Sequence, residues 1–347
     1  MESVAGLRLW AEQFLPAEVA LAGPVSLTPI AGDAGFRKYF RVNSTPGLIA
    51  VHAPPDKENT PAFVAKDLAL RAGGIRCPAV CAVDFSQGYM LQEDLGDSVL
   101  LGLLDSSSMA RLYHLAEGVL ADIQHVARDD EIFPPYDRPL LLQEMTLFSD
   151  WFVERLLGVK MTDDDRGVVD ETFALLVKSA IEQPQVVVHR DYHSRNLLLC
   201  DGNDVGVVDF QDAVIGPFTY DLVSLLKDCY IRWPVQIVRE RALAFLSAHA
   251  ARLGIADAPA TQLLKWFDFM GLQRHIKVLG IFARLWLRDG KSRYLDDLPL
   301  VLRYTLEVTG EYPELARFNQ WFTQRLLPLL PDQSWYRDWR LAGDTSL

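Results

Sequence analysis

Hydrophobic and polar residues follow two different patterns along the chain. Up to about residue 95, short apolar runs alternate with turn residues, which is typical of β-strands. This pattern predicts strands at Phe36–Val42, Leu48–Ala53 and Tyr89–Gln92, with one helix between them at Pro61–Ala72. Later segments have helical periodicity. They predict helices at Ser106–Val126, Leu140–Leu157 and Asp163–Ile181, and further helices after Tyr220.

Predicted strands return only between Val186 and Phe210, so a sheet-rich part precedes a larger helical part. This order predicts an α+β, bilobal fold. The predicted N-lobe is a small antiparallel sheet at residues 1–95. The predicted C-lobe is mostly helical and spans residues 96–347, and the two lobes join near Glu93–Asp97.

Composition restricts the class of protein. The chain has 347 residues, of which 50% are hydrophobic, enough for a substantial core in each lobe. Its apolar runs are too short to cross a membrane, and charged residues interrupt the apolar positions at its beginning. We therefore expect a soluble, cytoplasmic protein.

Charge and cysteine content exclude two further classes. A formal net charge of −12 argues against a general nucleic-acid binder. The cysteines, at positions 77, 81, 200 and 229, have neither zinc-site spacing nor the density of a disulfide scaffold. Reduced thiols in the cytoplasm fit this distribution.

The segment from Val186 to Asp212 carries the strongest chemical signal. Apolar runs flank the turn sequence Asp201-Gly202-Asn203-Asp204, which predicts a β-hairpin. If residues 202 and 203 form a two-residue loop, Asn196 lies directly opposite Asp209. Paired positions bring side chains within about 5 Å, so the two could share a magnesium ion.

Asp191 precedes Asn196 by five residues, on the loop that enters the hairpin. There it could accept a proton from an attacking hydroxyl beside metal-bound phosphates. Any one of these residues could equally be an ordinary turn residue. Their joint order, His-x-Asp, Asn, hairpin and Asp-Phe, favours a catalytic site.

This order resembles the catalytic and metal-binding signatures of the protein-kinase-like fold shared by protein kinases, choline kinases and aminoglycoside phosphotransferases. The resemblance implies ATP and Mg2+ as cofactors, Asp191 as catalytic base, and Asn196 and Asp209 as metal ligands. It also implies that His189 and Asp221 support the catalytic loop, although Asp221 could equally be a helix N-terminal acid. His193 and the sequence Asp-Phe-Gln-Asp at 209–212 differ from protein kinases and favour a small-molecule kinase.

Other segments are similar to the N-acetylmuramate/N-acetylglucosamine anomeric kinases of bacterial cell-wall recycling. They lie at residues 32–41, 53–55, 93–97 and 273–280. The resemblance implies phosphorylation of the anomeric hydroxyl of an amino sugar, giving a sugar 1-phosphate for peptidoglycan recycling, with no obligate protein partner. Two alternatives stay open: an aminoglycoside, choline or homoserine kinase of the same fold, and a nucleotide-binding pseudokinase that regulates a partner.

The predicted nucleotide site draws on the N-lobe. Gly32 and Gly35 flank a turn where backbone amides could approach phosphates, although glycines are common in hairpin turns. Arg37, Lys38 and Arg41 are candidate phosphate partners, although they could equally form a solvated strand face. Glu93 and Leu95 are expected to offer backbone groups to adenine. Unlike protein kinases, this chain has no lysine in the run Leu48–Ala53. Either Lys38 or an arginine takes its place, or the nucleotide is held mainly through the metal ion.

Basic residues near the C-terminus suggest the substrate. Arg274, Lys277, Arg284, Arg288 and Lys291 would share one face of a continuous helix. We interpret this face as a basic stripe that Asp268 and Asp289 do not neutralise, although a solvated face explains it equally well. A basic site favours a neutral or carboxylate-bearing sugar over a polycationic aminoglycoside.

Two groups of residues are therefore candidates for substrate contacts. The charged candidates are Arg232, Arg274 and Arg284. The aromatic candidates for stacking on the sugar ring are Trp151, Tyr230 and Trp233, although aromatic residues on helices more often belong to the core.

Overall fold

A computed structural model describes residues 2–30, 35–201 and 203–344, which form two compact units. Unit 1 lies within Met1–Leu103, Arg111–Phe133 and Arg195–Ala213. Unit 2 lies within Leu104–Ala110, Pro134–Ser194 and Val214–Leu347. These bounds differ from the predicted lobes, because residues 111–133 and 195–213 belong to the unit that contains the large sheet. The division into functional lobes stays a prediction.

The α-helices in the described part of the chain are given in chain order. They are α1 (Glu2–Phe14), α2 (Thr60–Ala72), α3 (Met109–Ile123), α4 (Arg138–Leu147), α5 (Asp163–Ile181), α6 (Tyr220–Leu226), α7 (Val235–Ala250), α8 (Ala260–Asp289), α9 (Leu298–Glu311) and α10 (Ala316–Arg325).

The β-strands of the same residues are β1 (Ala20–Leu21), β2 (Leu27–Ile30), β3 (Lys38–Val42), β4 (Ser44–Thr45), β5 (Leu48–His52), β6 (Val80–Asp84), β7 (Tyr89–Glu93), β8 (Gln185–Val188), β9 (Leu197–Leu199), β10 (Val205–Val207) and β11 (Val214–Pro217).

Unit 1 is built on a five-stranded antiparallel sheet in the order β2-β3-β5-β7-β6. Helix α1 covers one face. Its buried residues form a hydrophobic cluster with Val25 and with alternating residues of β3, β5 and β7. The members of the cluster are Leu7, Trp10, Ala11, Val25, Phe40, Val42, Leu48, Ala50, Tyr89 and Leu91. Side chains alternate across a strand, so residues 39, 41, 49 and 51 lie on the other face of the sheet.

Unit 2 is organised around α8, whose middle is buried on all sides. Gly280 permits a close approach at this point, because a Cβ there would lie 2.3 Å from the carbonyl carbon of Leu147. Gly290 ends α8 in the left-handed conformation, with φ of +68°. The antiparallel pair of β8 and β11 and the short helix α6 complete the part of unit 2 that carries the predicted catalytic loop.

Most predicted elements are present, with differences that local chemistry explains. The segment predicted as one helix at Leu140–Leu157 is instead α4 followed by a π-helical stretch, Phe148–Leu156, at the point where Gly280 approaches. Helix α3 begins later than predicted, because Asp105 accepts hydrogen bonds from the N–H groups of Ser107 and Ser108, both at 2.8 Å, and forms a turn first. The hydrophobic pattern did not predict α1, β2 or β6.

Two helices begin as their sequences require. Thr162 and Asp165 form a capping box at the start of α5, which the prediction placed correctly at Asp163–Ile181. Asn59 accepts a hydrogen bond from Ala62 N–H at 3.1 Å at the start of α2.

Within the described residues, no helix is both long enough and apolar enough to cross a membrane.

Candidate functional site

The hairpin of β9 and β10 carries two of the predicted site residues. Its strands pair Leu199 with Val205 and Leu197 with Val207, one residue out of the predicted register. The prediction was wrong because the connection between the strands is one residue longer: Cys200 N–H donates to Asp204 O at 2.8 Å. Gly202 itself lies outside the described residues.

Asn196 and Asp209 are still neighbours despite the changed register. Asn196 Nδ2 donates to Asp209 Oδ2 at 3.3 Å, and Val208 N–H donates to Asn196 O at 3.1 Å. Asp209 has a φ of +68°, a left-handed conformation that non-glycine residues seldom adopt. Gln211 Nε2 donates to the other carboxylate oxygen of Asp209 at 2.6 Å. Such uncommon backbone conformations are concentrated at functional sites.

The Asn196 and Asp209 side chains fit a magnesium ion. Magnesium prefers oxygen ligands and is usually held by one or two carboxylates together with phosphate oxygens and water. Asp209 supplies the carboxylate, and rotation of the Asn196 amide presents its oxygen. Among the residues that the structure describes, no cluster of three or more His, Cys, Asp or Glu side chains could hold a metal. A site completed by phosphate oxygens is therefore the type that these two residues fit.

The predicted catalytic loop, residues 189–194, lies in unit 2 and is held by Asp221, at the start of α6. The Asp221 carboxylate accepts hydrogen bonds from the backbone N–H groups of His189 at 2.6 Å and Arg190 at 2.9 Å. Arg190 has a φ of +76°, the second left-handed non-glycine residue in the described chain. Burial raises the pKa of Asp221 to about 7, against the effect of these two bonds and of Arg274. Asp221 thus holds the backbone of the segment that contains Asp191, and its role in supporting catalysis stays a prediction.

Asp191 is arranged as an ionised and accessible carboxylate. Its side chain is 38% exposed, and Arg274 Nη1 lies 3.7 Å from its Oδ1. Burial raises the pKa of Asp191, but the positive charges of Lys277 and Arg274, with His193 and Arg190, outweigh that effect and hold it below the usual range. The Asp191 N–H donates to His189 Nδ1 at 3.2 Å, which fixes the loop further. A carboxylate in this state can accept a proton from a substrate hydroxyl.

A buried ionic network supports the same loop from α4 and α8. Glu144 of α4 accepts hydrogen bonds from Arg190 Nη2 and from the Tyr136 hydroxyl, and its Oε1 lies 2.9 Å from Lys277 Nζ. Arg274 Nη1 donates to Arg190 O at 3.2 Å. Burial raises the pKa of Glu144, but Lys277 and Arg190 bring it below its ordinary value. Glu144 and Lys277 were not predicted as supporting residues, because a single sequence does not show which helical charges are buried.

The end of the catalytic loop is anchored by the segment after α6. The N–H of Ser194 donates to Asp228 Oδ2 at 3.0 Å, and the Ser194 hydroxyl donates to the same oxygen. The His193 ring contacts Tyr230 edge-on, with centroids 5.4 Å apart. Tyr230, a predicted stacking residue, therefore lies beside the catalytic loop.

The predicted nucleotide residues of unit 1 have different environments. Gly32 lies outside the described residues, and Gly35 is exposed. Arg37 is paired with Glu58, at 3.2 Å between Nη2 and Oε2. Lys38 is exposed and lies opposite His52 in the sheet, on the face that α1 covers.

The segment predicted to contact adenine follows β7. Glu93 receives two hydrogen bonds from Arg76, at 2.5 and 2.9 Å. The side chain of Leu95 lies against Gly206 of β10, where a Cβ would approach Leu95 Cδ1 to 2.8 Å. Glu93, Leu95 and the Asn196–Asp209 pair thus belong to one compact unit.

The basic stripe is not the continuous surface that we expected. Lys277 pairs with Glu144, and Arg274 is buried at the catalytic loop. Arg288 donates to Asp289 at 2.7 Å, so the interpretation that Asp289 does not neutralise the stripe was wrong. Arg284 is half-buried on α8. Only part of the helical face is therefore solvated. The 3.6-residue periodicity shows which residues share a face, but not whether that face points to the core or to solvent.

Arg232 lies in a different place, at a cavity of unit 2 with a volume of about 290 Å³. The lining includes basic, acidic and aromatic residues: Lys227, Arg232, Asp268, Glu307, Trp233 and Tyr304. Arg232 donates to both oxygens of Glu307, at 2.8 and 3.0 Å. Trp233, another predicted stacking residue, also borders the cavity, whereas Trp151 packs against Arg155.

Comparison with known proteins agrees with this geometry. The model of the phosphotransferase enzyme family matches residues 26–258. The chain is 39% identical to the N-acetylmuramate/N-acetylglucosamine kinase of Pseudomonas aeruginosa, over 90% of this chain and 94% of that protein. It is also 39% identical to the kinase of the same name from Pseudomonas putida, over 85% and 87% of the respective chains.

A solved structure supports the fold independently. The ADP-bound aminoglycoside phosphotransferase APH(2'')-Ib matches with a TM-score of 0.55 and 15% identity, over 88% of this chain and 98% of that one. At this identity the match shows the fold alone, a protein-kinase-like α+β fold. Together with the family match and the two relatives, it shows that the chain belongs to the phosphotransferase enzyme family.

Proposed function

We propose that the protein is an ATP- and magnesium-dependent kinase that phosphorylates the anomeric hydroxyl of N-acetylmuramate, N-acetylglucosamine or both. The product is a sugar 1-phosphate for peptidoglycan recycling. The observation that carries the proposal is the arrangement of Asp191 on a loop braced by Asp221, followed in sequence by the Asn196–Asp209 pair. The names of the relatives support the choice of sugar. We further propose a cytoplasmic enzyme without an obligate protein partner.

Asp191 acts as the base in this proposal. The anomeric oxygen forms a bond to the γ-phosphorus of ATP while the bond from that phosphorus to the bridging oxygen breaks, and its electron pair leaves with ADP. The hydroxyl proton passes to the Asp191 carboxylate, which is ionised because neighbouring cations hold its pKa low. A base of low pKa suits phosphoryl transfer, since the transition state is loose and positioning of the nucleophile matters more than early proton removal.

Asn196 and Asp209 hold the magnesium ion in this proposal. When bound, the ion neutralises negative charge on the transferred phosphoryl group. Asp209 is prepared for this role by its left-handed backbone and by the hydrogen bond from Gln211, which orients the carboxylate. Asn196 lies beside it, and rotation of the Asn196 amide away from its bond to Asp209 would present the amide oxygen to the ion.

Sugar selection is assigned to unit 2. Arg274 is the charged candidate nearest the base, whereas Arg232 borders the cavity and Arg284 lies further along α8. An arginine can hold the lactyl carboxylate of N-acetylmuramate with two parallel hydrogen bonds. N-acetylglucosamine lacks that carboxylate, so the ratio of activities on the two sugars reports on this contact.

The test is ADP release from ATP and Mg2+ with a panel of acceptors. The panel contains N-acetylmuramate, N-acetylglucosamine, choline, homoserine and an aminoglycoside. We expect turnover with one or both amino sugars and background rates with the rest. Turnover of choline, homoserine or the aminoglycoside instead would assign the protein to another activity of the same fold. ATP binding without ADP release for any acceptor would indicate a pseudokinase.

A further inference from the structure

The third strand of the large sheet lacks the lysine that kinases use to bind nucleotide phosphates. This strand, β5, reads Leu-Ile-Ala-Val-His. Leu48 and Ala50 pack in the core beneath α1, so Ile49 and Val51 lie on the opposite face. Neither is charged. If a cation on that face binds the phosphates, it therefore comes from an element other than β5.

Arg37, immediately before β3, is a cation held in place on that side. Its side chain is 7% exposed, and its Nη2 lies 3.2 Å from Glu58 Oε2. The guanidinium carbon lies 4.6 Å from the centre of the Phe63 ring, and Arg37 is also a hydrogen-bond partner of Tyr39. Across residues 2–30, 35–201 and 203–344, Arg37 Nε has no hydrogen-bond partner although it is buried. A buried donor without an acceptor is costly, and a bound anion would satisfy it.

Helix α2 links Arg37 to the proposed magnesium ligand within the same unit. The Phe63 ring that supports Arg37 also stacks on Phe210, with centroids 4.8 Å apart. Lys66, one turn later, donates to Gln211 O at 2.6 Å. Burial raises the pKa of Tyr39. The charge of Arg37 lowers this pKa and the charge of Asp209 raises it, so Arg37 and Asp209 both act on the Tyr39 hydroxyl.

We propose that Arg37, fixed by Glu58, takes the place of the missing strand lysine and binds phosphate oxygens of the nucleotide. The inference rests on the proposed kinase function. Arginine is suited to this role because its planar guanidinium has five N–H donors and can bind phosphate through two of them while others hold Glu58. The Arg37–Glu58 pair thus replaces the lysine–glutamate pair of protein kinases with residues from different elements.

Lys38 is the rival cation, and the sheet register separates the two residues. Lys38 lies opposite His52 and therefore shares a face with Phe40 and Ala50, which pack against α1. Tyr39, the partner of Arg37, lies opposite Val51 on the other face. The two adjacent cations are thus directed to opposite sides of the sheet.

The experiment measures the affinities of the full-length chain for ATP, ADP, AMP and adenosine by calorimetry, without sugar. The test variant is Arg37→Gln combined with Glu58→Gln, which removes the guanidinium without leaving a buried carboxylate unpaired. We expect ATP and ADP to bind about tenfold to hundredfold more weakly, with adenosine changed by less than about twofold. Arg37→Lys alone should recover part of the lost affinity, because it keeps the charge but not the planar fork.

The matched control is Arg8→Gln combined with Glu12→Gln. These residues form an Arg–Glu pair in α1 of the same unit, with Nη1 and Oε2 3.6 Å apart. The control should leave all four affinities unchanged. Equal weakening for adenosine and ATP would mean that Arg37 only maintains the fold, and selective weakening by Lys38→Gln but not by the Arg37 variant would assign the phosphates to Lys38. Either result would overturn the inference and leave the kinase proposal standing. Failure of the unaltered chain to bind ATP would defeat both.

Discussion

Asp221 holds Arg190 in a left-handed backbone conformation. The Asp221 carboxylate accepts the Arg190 N–H at 2.9 Å, and Arg190 has a φ of +76°. The same residue is held at its side chain by Glu144 and at its carbonyl by Arg274. Such a conformation costs on the order of 1–3 kcal/mol and persists only where surrounding contacts determine it. These contacts fix the direction in which the next residue, Asp191, is presented.

The role of Asp191 as base predicts a separation of binding from turnover. Asp191→Asn keeps the size of the side chain but removes the proton acceptor, so we expect turnover to fall by roughly 10²- to 10⁴-fold. The affinity for ATP should stay within about twofold, because the base acts on the sugar hydroxyl. Steady-state kinetics and calorimetry measure the two effects, with the exposed Asp170→Asn as control. Near-normal turnover of the variant, or loss of ATP binding together with turnover, would contradict the role as base and make Asp191 a structural residue.

The role of Asp209 predicts a changed magnesium requirement. Asn tolerates the left-handed conformation better than Ala, so Asp209→Asn removes the charge with little strain. We expect ADP release to fall at limiting Mg2+ and the Mg2+ concentration for half-maximal activity to rise at least roughly tenfold. Asp201→Asn, at the exposed loop end of the same hairpin, should leave the Mg2+ titration unchanged. An unaltered Mg2+ titration for the Asp209 variant would remove this residue from the metal site.

Gly280 predicts a loss of stability on a normally favourable substitution. Gly→Ala within a helix usually stabilises by about 0.5–1 kcal/mol. At Gly280 the added Cβ would lie 2.3 Å from Leu147 C and 2.4 Å from Leu147 O, which are backbone atoms that cannot rotate away. We expect Gly280→Ala to lower the free energy of unfolding by about 1–3 kcal/mol in urea titrations.

Gly271→Ala on the same helix is the matched control. Its Cβ would meet Val223 at 3.5 Å, an ordinary contact, so this variant should be neutral or slightly stabilising. Equal effects of the two substitutions would mean that α8 can move away from α4 without cost.

His275 predicts a loss of stability in mild acid. It is fully buried, donates from Nε2 to Lys227 O at 3.1 Å and stacks on Tyr304, and burial lowers its pKa to about 3. The unfolded chain has an ordinary histidine pKa of about 6.5. Between these values the unfolded state binds a proton that the folded state does not. Unfolding is therefore favoured as the pH falls, by up to about 1.4 kcal/mol per pH unit.

Replacing the imidazole removes this contribution. His275→Gln should reduce the slope of unfolding free energy against pH between about pH 6 and 4, even if the variant is less stable at pH 7. His249→Gln, on the half-exposed end of α7, controls for the loss of any histidine. Parallel pH profiles for the unaltered chain and His275→Gln would show that His275 is protonated in the folded state.

The sequence was most informative where chemistry and local pattern coincide. The hairpin, Asn196 and Asp209 could be predicted because they lie within a few residues of a turn signal, and Asp191 was chosen from its fixed order before Asn196. The register of the hairpin could not be predicted, because one extra loop residue shifts every pair and the residue types of the turn do not fix the loop length. Asn196 and Asp209 still meet in the changed register. Asp209 adopts a left-handed conformation, which aspartate enters only occasionally, so the sequence alone could not predict it.

Long-range partners were beyond local patterns. Glu144, which binds Arg190, lies 46 positions before it in the sequence. Glu58, which pairs with Arg37, lies in a loop. The basic stripe of α8 shows the same limit: periodicity placed Arg274 and Lys277 on one face but could not tell that this face is buried beside the catalytic loop. Tertiary packing decides which charges on a helix are paired.

The position of phosphate transfer is the central claim, and a blocked sugar tests it most directly. N-acetylglucosamine and its methyl glycoside differ at the anomeric oxygen, which is the proposed nucleophile. ADP release should be observed with the free sugar and be at background with the glycoside, and the product should no longer reduce an oxidant at its sugar end. Rapid ADP release with the methyl glycoside, or a phosphorylated product that is still reducing, would contradict transfer to the anomeric hydroxyl.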